Sequence, residues 1–326
     1  MRIALPLAIA ALVASATAFA DSDSDLQAQA ARLFGKLETP HGAATPEQTL
    51  GRALFWDRAA SADGKTACAS CHAAADWGAD SRRFSPDARG ELASRQSPTV
   101  FNSTLQPFLR WLGDRKTAAA QAEGSLTGSL GFASKQAAVE ALRRLGYADA
   151  FRTVYPADAE PLTPANYGRA VAAYEATLVT PARFDRYLGG DAEALTPAEK
   201  RGLALFIATG CAGCHNGALL GGASFQRFGV VKPYWSETGS DKPDAGRFAV
   251  TKKEEDRYVF RVPMLRNVAK TAPYFHDGSV ESLPRAVAIM ASVQLGRTLD
   301  KADTAAIVAF LGSLTGELPA NYSPPR

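Results

Sequence analysis

The chain has 326 residues, 46% of them hydrophobic and 21% charged, with a formal net charge of +3. That length suits two domains with separate cores, and the composition is that of an ordinary soluble globular protein. Basic and acidic residues are interleaved, so no charge block points to nucleic acid.

Residues 1–20, MRIALPLAIAALVASATAFA, carry one early Arg2, an alanine-rich apolar run and Ala18-Phe19-Ala20 just before Asp21. This is the pattern of a secretory signal with a small-x-small cleavage site. A transmembrane anchor is the alternative, but the run falls short of the ~20 strongly apolar residues that span a bilayer. No other run could span one, so the mature chain is expected to be soluble and periplasmic.

Next comes TPEQTLGRALFWD, where Thr45 can cap a helix, Pro46 fits its first position and Gln48 completes a capping box. The first cysteine pair follows in CASCH: Cys68, Cys71 and His72. From Ala73 to Arg95 there is no histidine and no methionine, and DSRRFSPDARG is rich in turn formers. KQAAVEALRRLG and TPANYGRAVAAYEATL place apolar residues at helical spacing. Then the pattern repeats. TPAEKRGLALFIATG offers Thr196, Pro197 and Glu199 in the capping roles, and Gly51-x-Ala53-Leu54-Phe55 recurs as Gly202-x-Ala204-Leu205-Phe206. CAGCH supplies Cys211, Cys214 and His215. KPYWSETGSDKPDAGRF reads as a long loop, and TAAIVAFLGSL as a closing helix. Strand-like alternation is scarce. The expected fold is mainly α, with two related cytochrome c-like haem modules and long loops lying over the haems. The expected domains are an N-terminal haem domain over 21–185 and a C-terminal one over 186–326.

All four cysteines fall in the two CxxCH motifs. Cysteine thiols add to the vinyl groups of haem, and the adjacent histidine reaches the iron. In an exported chain, cysteines could instead pair as disulfides or form a thioredoxin-like dithiol. Two complete CxxCH motifs that use every cysteine favour covalent haem. The other candidate ligands are few. Beyond Met1 there are only Met264 and Met290, His41 sits in a proline-rich stretch and reads as solvated, and His276 could ligate on sequence alone. With no histidine in the loop after His72, the first iron is expected to keep an open or water-filled sixth position. Such an iron can bind peroxide.

VPMLRNVAKTAPYFHDGSVESLPRAVAIMASVQLGRTL, IVAFLGSLTGELP, CASCH, SRQSPTVFN and the segment around Trp111 carry a resemblance over nearly all of the mature chain. It resembles the bacterial dihaem cytochrome c peroxidases and their methylamine-dehydrogenase-maturing relatives. The resemblance implies that Met290, fourteen residues after His276, binds the electron-transfer haem, where protein-oxidising relatives carry tyrosine. A core-filling role for Met290, with Met264 as the ligand in reserve, is the alternative. His276 becomes a pocket residue. Trp111 matches a tryptophan between the haems, as an aid to electron transfer, as interdomain core, or as both. Gln121 matches a distal glutamine, and Gly131 stands where a proton-shuttling glutamate is expected. A water, Glu123 or an acid from the 76–91 loop could substitute. An interdomain calcium is also implied, at positions that are Gln96, Thr271 and Pro273 here. Gln96 keeps an oxygen donor but adds a methylene.

The implied activity is reduction of hydrogen peroxide to water. Electrons from a small cytochrome c or cupredoxin would enter at the high-potential Met290 haem and be used at the low-potential His72 haem. A dihaem oxidase of a protein or organic substrate, and a non-enzymatic dihaem carrier, remain as alternatives. A homodimer is compatible with the resemblance.

Overall fold

Two glycines show how the helices of this chain meet. The computed structural model describes residues 23–325; the expected leader, residues 1–20, lies outside them. The helices are α1 (23–33), α2 (Pro46–Trp56), α3 (Ala118–Ser125), α4 (Lys135–Arg144), α5 (Ala148–Val154), α6 (Pro164–Glu175), α7 (Arg183–Leu188) and α8 (Pro197–Thr209). After them come β1 (Phe225–Arg227), the short α9 (Trp235–Thr238) and α10 (Phe248–Thr251), β2 (Val259–Arg261), α11 (Leu283–Leu295) and α12 (Lys301–Ser313). The one sheet among the described residues is the antiparallel β1–β2 pair, with Phe225 opposite Arg261. The chain is mainly helical, as its periodicity requires. Among the described residues no helix is long and apolar enough to cross a membrane.

Both expected capping boxes form. The Thr45 hydroxyl accepts from the Gln48 amide while Gln48 Oε1 accepts from the Thr45 amide at 2.9 Å. Thr196 and Glu199 do the same at the start of α8, with Glu199 Oε2 2.8 Å from the Thr196 amide. These bonds satisfy donors that a helix start would otherwise leave orphaned.

The repeat extends to the helix crossings. α2 packs on α6 and α8 packs on α12. A Cβ added at Gly51 would lie 1.8 Å from the Ala170 carbonyl oxygen, and one at Gly202 would lie 1.8 Å from that of Ala306. Tyr174 and Phe310 close the two contacts at 3.0 and 2.9 Å. Only a residue without a side chain permits backbones to approach this closely.

Leu54, Phe55, Phe101, Leu126, Phe151 and Tyr167 anchor a first core. Phe184, Leu203, Phe206, Phe310 and Leu314 anchor a second. A third cluster, with Leu112, Tyr234, Phe260 and Ile289, joins residues from both halves. The chain ends cross over. Ala30 and Phe34 belong to the second core, where Phe34 meets Phe184 at 5.7 Å and Phe206 at 6.4 Å. Tyr322 belongs to the first core, edge-on to Phe101 at 4.7 Å. α7 straddles residue 185, and its Phe184 and Tyr187 both lie in the second core.

Candidate functional site

Each cysteine pair sits on a tight turn that follows a capped helix, Cys211–Gly213 directly after α8 and Cys68–Ser70 after a longer connection from α2. All four thiols are free. Burial pushes the Cys68 thiol up to about 12 and the Cys211 thiol up to about 11. A redox dithiol needs the opposite shift, toward the thiolate. The disulfide and thioredoxin-like alternatives therefore find no support here.

The histidines are held in one tautomer. The Gly78 carbonyl accepts from His72 Nδ1 at 2.8 Å, and the Leu220 carbonyl accepts from His215 Nδ1 at 3.1 Å. A carbonyl can only accept, so Nδ1 carries the hydrogen in both rings and Nε2 keeps its lone pair. Burial lowers both imidazole pKa values and favours the neutral form. Neutral imidazoles with a tethered Nδ1–H are in the state a metal ligand requires.

Both motifs open onto one cavity of about 670 Å³. It is lined by His72 and His215, by Trp111 and Gln121, and by Met264 and Met290. Gln96, Thr271 and Pro273 also reach it. Lining alone does not separate Met290, on α11, from Met264. His41 is exposed and away from it. The 80–90 loop contributes Asp87 and Arg89 to the wall. No residue of the 232–248 loop is among those lining the cavity; its Tyr234 ring and Asp244 carboxylate stand against His276.

His276 is 2% exposed, stacked on Phe260 at 4.2 Å and edge-on to Tyr234 at 5.2 Å, with Nε2 3.8 Å from the Asp244 carboxylate. Two hydrogen bonds through the Gln96 backbone tie it to Trp111. The Trp111 indole donates to the Gln96 carbonyl at 2.8 Å, and the Gln96 amide donates to the His276 carbonyl at 2.8 Å. The Gln96 side-chain amide donates to the Asp80 carbonyl at 3.0 Å, leaving Oε1 as its ligating atom. Among the described residues no group of three or more His, Cys, Asp and Glu could hold a metal ion, so a calcium would depend on carbonyl and amide oxygens.

Gly131 is not among the cavity-lining residues. Its φ is +74°, and a Cβ there would lie 2.9 Å from that of Ala88. Glu123 is paired with Lys135 at 2.5 Å, also outside the cavity wall. Asp87 lines the cavity, but hydrogen bonds from the Arg89 and Glu91 amides and the nearby Arg89 charge offset its burial and lower its pKa. Sequence reasoning missed Glu175. It ends α6 on the apolar face, four residues after Val171, and both line the cavity. Burial raises its pKa to about 7 against one hydrogen bond from Ser103, at 3.2 Å. An acid on the apolar side of an amphipathic helix was the available signal.

Residues 45–193 match the family model described as di-haem cytochrome c peroxidase, and residues 199–315 match that of cytochrome c. The chain is 43% identical over 286 residues to the cytochrome c551 peroxidase of Pseudomonas aeruginosa, covering 84% of this chain and 80% of that one. The chain belongs to the di-haem cytochrome c peroxidase family. It is also 34% identical to the methylamine utilization protein MauG of Methylorubrum extorquens, over 79% of this chain and 73% of that one. Among solved structures it resembles a MauG-like protein associated with microbial copper homeostasis, with a TM-score of 0.74 and 26% identity, covering 89% of this chain and 97% of that one. As a member of this family the protein is an oxidoreductase with two haem cofactors. The residues present fit them: protonated thiols for the attachment bonds, neutral imidazoles for the iron, and a cavity continuous between the two.

Proposed function

We propose that this di-haem peroxidase reduces hydrogen peroxide to water in the periplasm, with electrons from a small cytochrome c or cupredoxin. Cys68, Cys71 and His72 would hold one haem in the 21–185 domain; Cys211, Cys214 and His215 would hold the other in the 186–326 domain. When bound, the haems store electrons and activate the peroxide O–O bond. The observation that carries the reading is the asymmetry around two otherwise equivalent tethered histidines. From Ala73 to Arg95 the chain after His72 offers no histidine or methionine, whereas both methionines of the mature chain follow His215 and line the cavity, with Met290 the one that would bind the second haem.

The side chains then divide the remaining work. Gln121 presents an amide from α3 that can orient a bound peroxide. Trp111 and its strap to Gln96 and His276 hold the region where the two halves meet. Glu175, poised near neutrality, can hold and release a proton where Gly131 cannot. Gln96, Thr271 and Pro273 offer oxygens suited to calcium. The test is peroxide-dependent oxidation of a reduced small cytochrome c by protein carrying two haems per chain in a pyridine haemochrome assay. One haem per chain, or none covalently held, overturns the reading. Peroxide consumption without oxidation of any small redox protein would favour the second reading, an oxidase of a protein or organic substrate, which the glycine at 131 and the MauG likeness support.

A further inference from the structure

We infer that Arg261 is the counter-charge for a haem propionate, binding the cofactor's own carboxylate at the seam between the two haem domains. Arg261 is on β2, is 3% exposed and lines the cavity. Its backbone amide donates to the Trp111 carbonyl at 2.8 Å, Nε donates to the Arg110 carbonyl at 2.8 Å, and Nη1 donates to Gln106 Oε1. Those three acceptors are neutral, and all come from the other half of the chain. Gln106 is itself pinned, with its Cγ 3.2 Å from where a Cβ on Gly222 would sit.

The charge balance around the cavity singles this residue out. Arg89, Arg95, Arg110, Arg115 and Arg266 each have a carboxylate oxygen at 2.5 to 3.4 Å. Arg227 is exposed over the Tyr258 ring. Among the described residues Arg261 alone is a buried, cavity-lining arginine with no carboxylate partner. Burial by itself lowers its pKa to about 10, which leaves it charged at neutral pH. An unpaired buried charge is among the most expensive features a fold can carry. Here the missing anion must come from whatever fills the cavity. A haem brings two propionates, and a guanidinium fork matches a carboxylate in geometry as well as charge.

A nearby positive charge favours the reduced iron and keeps a propionate ionised. Removing it should therefore lower the potential of the haem it serves and make that potential pH-dependent in the neutral range. The readouts do not use turnover, so this inference can fail while the peroxidase reading stands, and the converse also holds. Arg261→Gln and Arg261→Lys would be compared with the natural chain by haem content and by spectroelectrochemical titration at several pH values. The expected result is that Arg261→Gln lowers one haem potential and gives it a pH slope, whereas Arg261→Lys stays close to the natural chain. Loading of the lysine variant but not the glutamine variant would also support the inference, since the charge would then be needed to seat the cofactor. A fully loaded Arg261→Gln with both potentials and slopes unchanged would overturn it. So would equal failure of both variants to load, which would make the fork to Gln106 and Arg110 purely structural.

Discussion

Glu175 ties stability to pH with a definite sign. Its folded-state pKa of about 7 lies above its ordinary value of 4.5, because burial disfavours the carboxylate. Below about pH 4.5 both folded and unfolded chains hold the proton and the group costs nothing. As pH rises toward 7 the unfolded chain loses the proton more readily, so stability falls by about 3 kcal/mol across that window. Glu175→Gln should flatten this part of the stability–pH curve, measured by chemical denaturation, and should slow peroxide turnover by ~10²-fold if the carboxyl moves the proton. An unchanged curve would show that the carboxylate finds another partner. Gly131 is the converse case. Writing the expected acid back as Gly131→Glu forces a side chain onto a φ of +74° and against Ala88. The variant should be destabilised, by about 1–3 kcal/mol for the strain, and should not gain activity. The remaining ligand choice is a residue question too. Met290→His should keep the second haem six-coordinate and lower its potential, because imidazole donates more strongly than a thioether. An unchanged spectrum and potential would pass the role to Met264.

At the scale of elements, the two crossings α2–α6 and α8–α12 are what the internal repeat encodes. Gly51→Ala and Gly202→Ala each drive a methyl into a facing carbonyl at 1.8 Å, which neither backbone can avoid without separating the helices. Each substitution should cost about 3 kcal/mol or more, beyond the small gain in helix propensity. Haem-loaded variants would show it as a lowered denaturation midpoint, with Gly51→Ala acting on the first core and Gly202→Ala on the second. A midpoint unchanged by either would mean the crossings are looser than they stand here. The capping boxes were legible because Thr, Pro and Gln or Glu act within one turn of chain. The Gly–Ala contact was legible only as a repeated motif, because its partners lie more than a hundred residues away. The turn formers of 232–248 mark it as loop, but none of its residues lines the cavity. It instead supports His276 through Tyr234 and Asp244, since composition reports loop chemistry but not where a loop packs.

The whole molecule is closed by its ends. Phe34 from the start of the described chain fills the second core, and Tyr322 from its end fills the first, where its hydroxyl donates to the His72 carbonyl at 2.5 Å. The tail therefore reaches the turn proposed to hold the first haem. Tyr322→Ala should cost about 3 kcal/mol for the lost aromatic packing, and Tyr322→Phe only about 1 kcal/mol for the hydroxyl. Both can be read from denaturation of the haem-loaded protein. The alanine variant should also perturb the spectrum of the His72 haem and leave the His215 haem unchanged. Equal perturbation of both haems would contradict the crossed arrangement.

By itself the sequence determined the chemistry that is local along the chain: two CxxCH motifs, two capped helices, mainly helical periodicity and an absence of histidine between Ala73 and Arg95. These depend on spacings of a few residues, where covalent geometry and one turn of helix decide the outcome. Only the tertiary structure decided that Glu175 and the unpaired Arg261 line the same cavity as both motifs, that Gly131 is not among its lining residues, and that the chain ends exchange cores. Burial and charge pairing are sums over neighbours distant in sequence, and a linear pattern does not record who those neighbours are.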